Sequence, residues 1–105
     1  MPVMQVLSVR VFRNNLTELA ERARAGESFI VRRHATPIAL LRAAGPQEQL
    51  KPIGLREMRF ELGRCLRAVE RGESWLVHFH GNPELVLTTV PSDTTGINES
   101  EEESA

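Results

Sequence analysis

The sequence predicts an α+β fold in which two similar units follow each other in the chain and pack together as a pseudo-twofold intramolecular dimer. Three observations lead to this prediction. The stretch GESFIVRRHATP, residues 26–37, returns 46 residues later as GESWLVHFHGNP, residues 72–83. An amphipathic stripe with helical spacing precedes each copy, so each unit combines helix with a β-hairpin. Finally, 105 residues allow one modest core and hardly two independent ones, so the units must share it.

The repeat extends well beyond these twelve residues. At an offset of 46, ten of the 36 aligned positions from Leu7 to Arg42 are identical. The apolar pattern repeats more faithfully, with apolar residues at positions 9, 12, 16, 19, 20 and 23 and again at 55, 58, 62, 65, 66 and 69. A helical stripe over a single hairpin leaves much apolar surface in water, so we expect the units to cover each other. Head-to-tail fusion of two copies of a symmetric homodimer gives this arrangement.

Each unit is predicted to run through the same elements in the same order. A short strand comes first, at PVMQVL in one unit and LKPI in the other. Helices follow along the apolar stripe and end at Gly26 or Gly72, because glycine suits the residue after a helix C-terminus. The β-rich runs SFIVRRH and SWLVHFH then lead through a turn into the second strands, IALLR and LVLTTV. In the turn HGNP, Gly81 and Asn82 tolerate positive φ, whereas HATP is a weaker hairpin signal.

These elements divide the chain into four parts. The first unit covers residues 1–43, a linker covers 44–50, the second unit covers 51–90, and an acidic tail covers 91–105. The tail is rich in Ser, Thr and Asn, so we expect it to be disordered. It is interpreted as a solubilising end, with a partner-binding segment or a phosphate mimic that competes for arginines as alternatives.

Charge is distributed unevenly along the chain, although the formal net charge is only -1. Residues 1–46 contain seven arginines and three glutamates, a net of +4. Residues 47–90 contain six basic and six acidic residues, a net of zero, and the tail contains five acidic residues and no basic one, a net of -5. Twelve of the thirteen basic residues are arginine, which suits bidentate phosphate and base contacts better than lysine does.

Several classes of protein are disfavoured by the composition. No apolar run approaches the roughly 18 to 20 residues of a membrane span, and the N-terminus lacks the features of a secretory signal. We therefore expect a cytoplasmic protein without a membrane partner. The single Cys65 can form neither an internal disulfide nor a cysteine-based zinc site, and it is expected in the core. The sequence has no nucleophile turn, phosphate-binding glycine loop or coherent acid pair, so we expect no enzymatic activity.

The histidines form a weak metal site at best. His78 and His80 alternate on a predicted strand and share one face, and His34 is the counterpart of His80 in the repeat. No carboxylate or thiolate stands at ligand spacing beside them. A structural role in the turns is the favoured interpretation, phosphate contact is the alternative, and no metal or cofactor is expected. Trp75 matches Phe29 and is expected in the core.

The ordered set of motifs resembles the Phd/YefM antitoxins of bacterial toxin-antitoxin systems. The N-terminal domain of that family reads as a strand, a helix with arginine and leucine three apart, a helix ending at Gly-Glu, and then ITR-x-G-x-P-x-A-x-L. The segment VLSVRVFRNNLTELAERARAGESFIVRRHATPIALLR, Val6 to Arg42, follows this pattern nearly throughout. GLREMRFELGRCLRAVERGESWLVHFHGNPELVL follows it more loosely. The resemblance implies an α+β domain that dimerises, binds operator DNA and represses transcription of its own operon, as the antitoxin of a type II system does.

The resemblance also implies partners. Duplex operator DNA is the first, and a small cognate toxin is the second. Family members usually continue into a C-terminal segment that folds over the toxin, but here the second unit stands in that place and fifteen residues follow it. Toxin neutralisation is therefore a weaker expectation than DNA binding, and dimerisation of whole chains stays open.

Paired arginines are the candidate DNA-binding residues. Arg10 and Arg13 lie three apart at the start of a predicted helix and so share one face, and Arg56 and Arg59 repeat this spacing in the second unit. Guanidinium groups placed in this way can meet phosphates or read base edges. The alternative is that these arginines are solvated or paired with nearby glutamates, namely Glu18, Glu57 and Glu61.

By resemblance, Arg13 occupies the position of a family arginine that enters DNA, and Arg33 occupies that of the arginine in ITR. The second unit has Phe79 at the latter position, and Arg32 is a weaker candidate. Because the first unit carries the net positive charge, we expect it to dominate DNA binding. A second hypothesis, of a different class, is a protein-interaction module that keeps the scaffold and no longer binds DNA.

Overall fold

The same five elements occur twice in the chain, in the same order. The structure is a computed structural model that describes residues 4–45 and 50–91. The first unit contains β1 (Met4–Ser8), α1 (Val9–Asn14), α2 (Leu16–Arg24), β2 (Ser28–Arg33) and β3 (Thr36–Ala43). The second unit contains β4 (Lys51–Gly54), α3 (Leu55–Phe60), α4 (Leu62–Glu70), β5 (Trp75–Phe79) and β6 (Asn82–Thr88). The start of the predicted first strand, most of the linker and the predicted disorder of the tail lie outside the described residues.

Each apolar stripe runs through two short helices rather than one. The break falls at Asn15 in the first unit and at Glu61 in the second, which are equivalent positions. Ser8 caps α1, since its side-chain Oγ accepts a hydrogen bond from the Val11 amide at 3.2 Å. Gly54 stands at the equivalent position and has no side chain to cap α3. The second unit therefore starts its first helix without the side-chain cap that the first unit has.

The repeated Gly-Glu-Ser motif ends the second helix of each unit. Gly26 has a φ of 119°, and its amide donates to the Ala23 carbonyl at 3.0 Å, while the Glu27 amide donates to the Arg22 carbonyl at 3.1 Å. This pair of bonds is a Schellman motif, which requires a residue that tolerates positive φ. The second unit repeats both bonds after α4, with Gly72 at a φ of 99°.

Both hairpins turn through two residues, and a histidine in the left-handed conformation begins each turn. The φ angle is 57° at His34 and 56° at His80, and Gly81 follows with a φ of 79°. Asn82, which also tolerates positive φ, does not adopt it, because it is already the first residue of β6 and pairs with Phe79. The weaker signal HATP nevertheless forms its hairpin, with Arg33 opposite the first residue of β3.

The six strands form one mixed sheet in the order β1-β2-β3-β6-β5-β4. The outer pairs are parallel and the three inner pairs are antiparallel. In the central β3–β6 ladder, Leu41 pairs with Leu87, its own equivalent, since 41 + 46 = 87. Leu40 pairs with Thr88 and Arg42 with Val86, so exchanging the two units maps the ladder onto itself. The register shifts in β2 and β5 also occur at equivalent positions.

The hydrophobic core lies between one face of the sheet and the four helices. It is one cluster that draws on both units, because α2 packs on β3 and β6 while α4 packs on β3. Cys65 and Trp75 are buried in it, as predicted, with 1% and 7% of their surface exposed. Burial raises the pKa of the Cys65 thiol, so it stays protonated and unreactive near neutral pH. No helix in the described part of the chain is long and apolar enough to cross a membrane.

Candidate nucleic-acid interface

The helices α1 and α3 each present two arginines to solvent. Phe12 in α1 and Met58 in α3 are fully buried and fix these helices against the core. Successive helical residues are about 100° apart, so the arginines on either side of these anchors point away from the sheet. Arg10, Arg13, Arg56 and Arg59 are accordingly all exposed. The spacing predicted from the sequence therefore does bring each pair onto one outer face.

These four arginines have no hydrogen-bond or ion-pair partner within residues 4–45 and 50–91. The alternative that they pair with nearby glutamates is not observed there, because Glu61 instead contacts Arg64 at 3.7 Å. Most other arginines of residues 4–45 and 50–91 are engaged, although the exposed Arg67 of α4 is not. The Arg22 guanidinium, for example, binds Glu27 at 2.7 Å and holds the pKa of that carboxyl below its usual value. A phosphate could approach the four arginines without displacing a carboxylate.

Arg33 is placed differently from these four. Its Nη1 lies 2.5 Å from Oε2 of Glu70 in α4, so its guanidinium is already paired with the other unit. Arg32 donates to the backbone carbonyl of His34 at 2.8 Å. Phe79, the counterpart of Arg33, is 5% exposed and lies under the Arg24 guanidinium, 6.0 Å from the ring centroid. DNA binding by Arg33 stays a prediction, and it would require the ion pair with Glu70 to open.

The two arginine pairs lie at diagonally opposite corners of the sheet. The strands β1 and β4 form its two edges and run in opposite directions, and α1 and α3 start where these strands end. Five strand spacings of about 4.8 Å and a strand length of about 17 Å put the corners roughly 30 Å apart. Because all four helices cover the same face, both arginine pairs belong to that side of the molecule.

No protein-family model, curated protein or solved structure matches the chain significantly. The resemblance to Phd/YefM antitoxins therefore rests on the motifs themselves. It gains no support from a relative, so the evidence for what the chain binds is its own surface.

The surfaces of α1 and α3 differ in charge although their backbones are equivalent. The helix α1 contains no acidic residue. Val11 and Asn15 of the first unit correspond to Glu57 and Glu61 in the second. Carboxylates repel phosphate, so the surface around Arg10 is the better of the two for a polyanion.

Phe60 is a feature that our sequence reasoning missed. It is 78% exposed, whereas Asn14 is the equivalent residue on α1. The signal was present in the sequence, because position 60 falls outside the apolar stripe at 55, 58 and 62. Phe60 borders a shallow concavity of about 610 Å³ that is lined by Gly54, Arg56, Glu57, Phe60 and Glu61.

The histidines occupy turn and strand positions. His80 stacks on Phe79, with ring centroids 4.0 Å apart, and its Nε2 lies 3.4 Å from Glu21 of the first unit. Among the residues that the structure describes, no three His, Cys, Asp or Glu side chains group closely enough to hold a metal ion. The positive φ of His34 and His80 agrees with the interpretation that they stabilise the turns.

Proposed function

We propose that the chain is a DNA-binding transcriptional repressor of the cytoplasm, similar to the antitoxin of a type II toxin-antitoxin system. It is formed of two fused Phd/YefM-like units in a pseudo-twofold intramolecular dimer, and it acts without catalysis. It binds duplex operator DNA through the arginines of α1 and α3. Neutralisation of a small cognate toxin is the part of the proposal that rests on the resemblance alone.

The observation that carries the proposal is the set of four exposed arginines at equivalent positions of two equivalent helices, which have no partner among the residues that the structure describes. An arginine that is already paired must give up its carboxylate before it can bind phosphate, and no carboxylate of the described residues is paired with these four. Each phosphate that they neutralise would release condensed counterions, which supplies most of the free energy of non-specific binding. The planar guanidinium can in addition read guanine by two hydrogen bonds in the major groove.

The spacing of the two corners also supports binding to duplex DNA. The proposed pseudo-twofold axis passes through the centre of the β3–β6 ladder, and the pairing of Leu41 with its equivalent Leu87 supports this position. An axis perpendicular to the sheet leaves α1 and α3 on the same side of the molecule. Their separation of roughly 30 Å is comparable to the 34 to 36 Å, about one helical turn, between half-sites of dimeric DNA-binding proteins.

The test is fluorescence anisotropy of the full chain with duplex DNA from its own promoter and with a scrambled duplex of the same composition. We expect tighter binding to the promoter duplex, with a logarithmic salt slope of about -0.9 for each phosphate neutralised. A variant with all four arginines changed to alanine should lose binding. The control variant changes Arg24, Arg64 and Arg71, three arginines that form ion pairs, and should bind nearly as the wild type does.

The alternative function is a protein-interaction module that no longer binds DNA. The exposed Phe60 beside two glutamates favours it, because this surface suits a protein better than a polyanion. Absence of binding above the scrambled duplex at low salt would reject the repressor and favour this module.

A further inference from the structure

In the described part of the second unit, Phe60 is a large apolar side chain that the core leaves exposed. We call the residues that line the concavity beside it the α3 patch: Gly54, Arg56, Glu57, Phe60 and Glu61. An aromatic side chain that is 78% exposed gains from burial, and aromatic side chains commonly form the centre of protein interfaces. The patch thus has an apolar centre and a rim of charged residues.

The rim carries charges of both signs. Arg56 and Arg59 stand on α3 together with Glu57, and Glu61 follows at its end. In a contact with twofold symmetry, residue i of one copy meets residue j of the other, and residue j of the first copy meets residue i of the second. A patch that carries both positive and negative residues therefore complements itself. The equivalent surface of α1 has Arg10 and Arg13 without an acidic residue, and two copies of it would repel each other. Self-complementarity is therefore particular to the second unit.

The shape of the α3 patch, like its charge, suits a self-complementary contact. The concavity of about 610 Å³ is large enough to receive an aromatic ring. It opens beside Gly54, where an added Cβ would meet nothing within 4 Å. The first unit has Asn14 in place of Phe60, so it lacks the aromatic side chain at the centre of the patch.

We propose that a second copy of this chain binds to the α3 patch. In this symmetric dimer the Phe60 ring of each copy enters the concavity of the other, and arginines of one copy face glutamates of the other. The inference does not depend on DNA binding. The dimer covers the α3 surface with Arg56, so it competes with DNA binding through α3 and leaves only the α1 arginines of each copy free for DNA.

The test is sedimentation velocity of the full chain over a concentration series. The wild type should pass from monomer to dimer as concentration rises, and Phe60→Glu should weaken dimerisation at least about tenfold, as expected for a central aromatic residue. The matched control is Asn14→Glu, the same change at the equivalent exposed position of α1, and it should dimerise as the wild type does. Circular dichroism verifies that each variant is folded.

Two further variants separate shape from charge. Gly54→Leu fills the open recess at an ordinary backbone conformation and should block dimerisation, whereas Gly54→Ser, which copies the first unit, should not. Glu57→Arg should weaken the dimer, and adding Arg56→Glu should restore it. A wild type that stays monomeric throughout, or a Phe60→Glu variant that dimerises normally, overturns the proposal. A monomeric wild type whose DNA affinity falls on Phe60→Glu assigns the patch to nucleic acid instead.

Discussion

Arg33 of the first unit and Glu70 of the second form an ion pair across the two halves of the molecule, with Nη1 and Oε2 2.5 Å apart. Their equivalents are Phe79 and Arg24, and there the guanidinium lies 6.0 Å from the ring centroid. One pair is an ion pair and the other is a cation–π contact. Equivalent side chains thus contact each other in both places, but one contact is between opposite charges and the other is between a charge and an aromatic ring. The contact between the two units is therefore asymmetric.

The first prediction concerns this ion pair. Both side chains are partly exposed, 41% for Arg33 and 35% for Glu70, so solvent screens the attraction. A double-mutant cycle of Arg33→Ala and Glu70→Ala, measured by urea unfolding, should give a coupling free energy of about 0.2 to 1 kcal/mol. If Arg33 also binds DNA, Glu70→Ala alone should raise the affinity for the promoter duplex, since it frees the guanidinium. Unchanged affinity in Glu70→Ala and in Arg33→Ala would confine Arg33 to a structural role.

The second prediction is that the two units fold as one cooperative entity. A fragment of residues 1–45 lacks β6 and the helix α4, and it therefore exposes the core side of β3 to water. We expect no sharp thermal transition from the monomeric fragment. Because the β3–β6 ladder maps onto itself, two fragments can instead pair through β3, and folding should then depend on concentration. A fragment that stays monomeric in sedimentation and melts sharply would contradict the prediction.

The third prediction concerns acid stability. The Arg22 hydrogen bond lowers the pKa of Glu27, and the Lys51 hydrogen bond lowers the pKa of Glu73. A carboxyl whose pKa is lower in the folded state stabilises the fold above its unfolded pKa, and that stabilisation is lost as pH falls through the folded pKa. The double variant Glu27→Gln and Glu73→Gln should therefore lose less stability than the wild type between about pH 5 and pH 3.

The control for this experiment is Glu57→Gln, measured at a concentration at which the chain is monomeric; it removes an exposed glutamate that has no ion pair within the described residues. Its unfolding midpoint should follow the wild type over the same pH range. Parallel curves for the wild type and the double variant would show that the Arg22–Glu27 and Lys51–Glu73 ion pairs contribute nothing to acid stability.

The fourth prediction is that DNA binding is asymmetric. Arg13→Ala should weaken binding to the promoter duplex more than Arg59→Ala does, by about 1 to 3 kcal/mol if Arg13 makes a bidentate base contact. The reason is the charge beside each arginine, because α3 contains Glu57 and α1 contains no acidic residue. Anisotropy titrations at one salt concentration compare the two variants. Equal losses would reject the asymmetry but leave DNA binding in place.

Much of the local structure could be predicted because its signals are local. The apolar stripes indicated which helical residues are buried, and Gly26 and Gly72 marked the helix ends because only glycine adopts that conformation at little cost. The break at Asn15 and Glu61 was not predicted, since the stripe continues through it with unchanged spacing. Of the two residues that tolerate positive φ in the second turn, Gly81 adopts it and Asn82 does not, because the pairing of Phe79 with Asn82 leaves only His80 and Gly81 for the turn.

By itself, the sequence determined the two units, the order of their elements and the exposed arginines of α1 and α3, since these depend on residues near each other in the chain. Only the tertiary structure decided which arginines form ion pairs and which surface of one unit differs from the equivalent surface of the other. Arg33 is paired because the fold brings Glu70 to it from 37 residues away. Phe60 is exposed because it lies on the face of α3 that points away from β4, β5 and α4, the elements that α3 contacts. Contacts of this kind depend on how strands join across the β3–β6 ladder, and no local period in the sequence encodes that pairing.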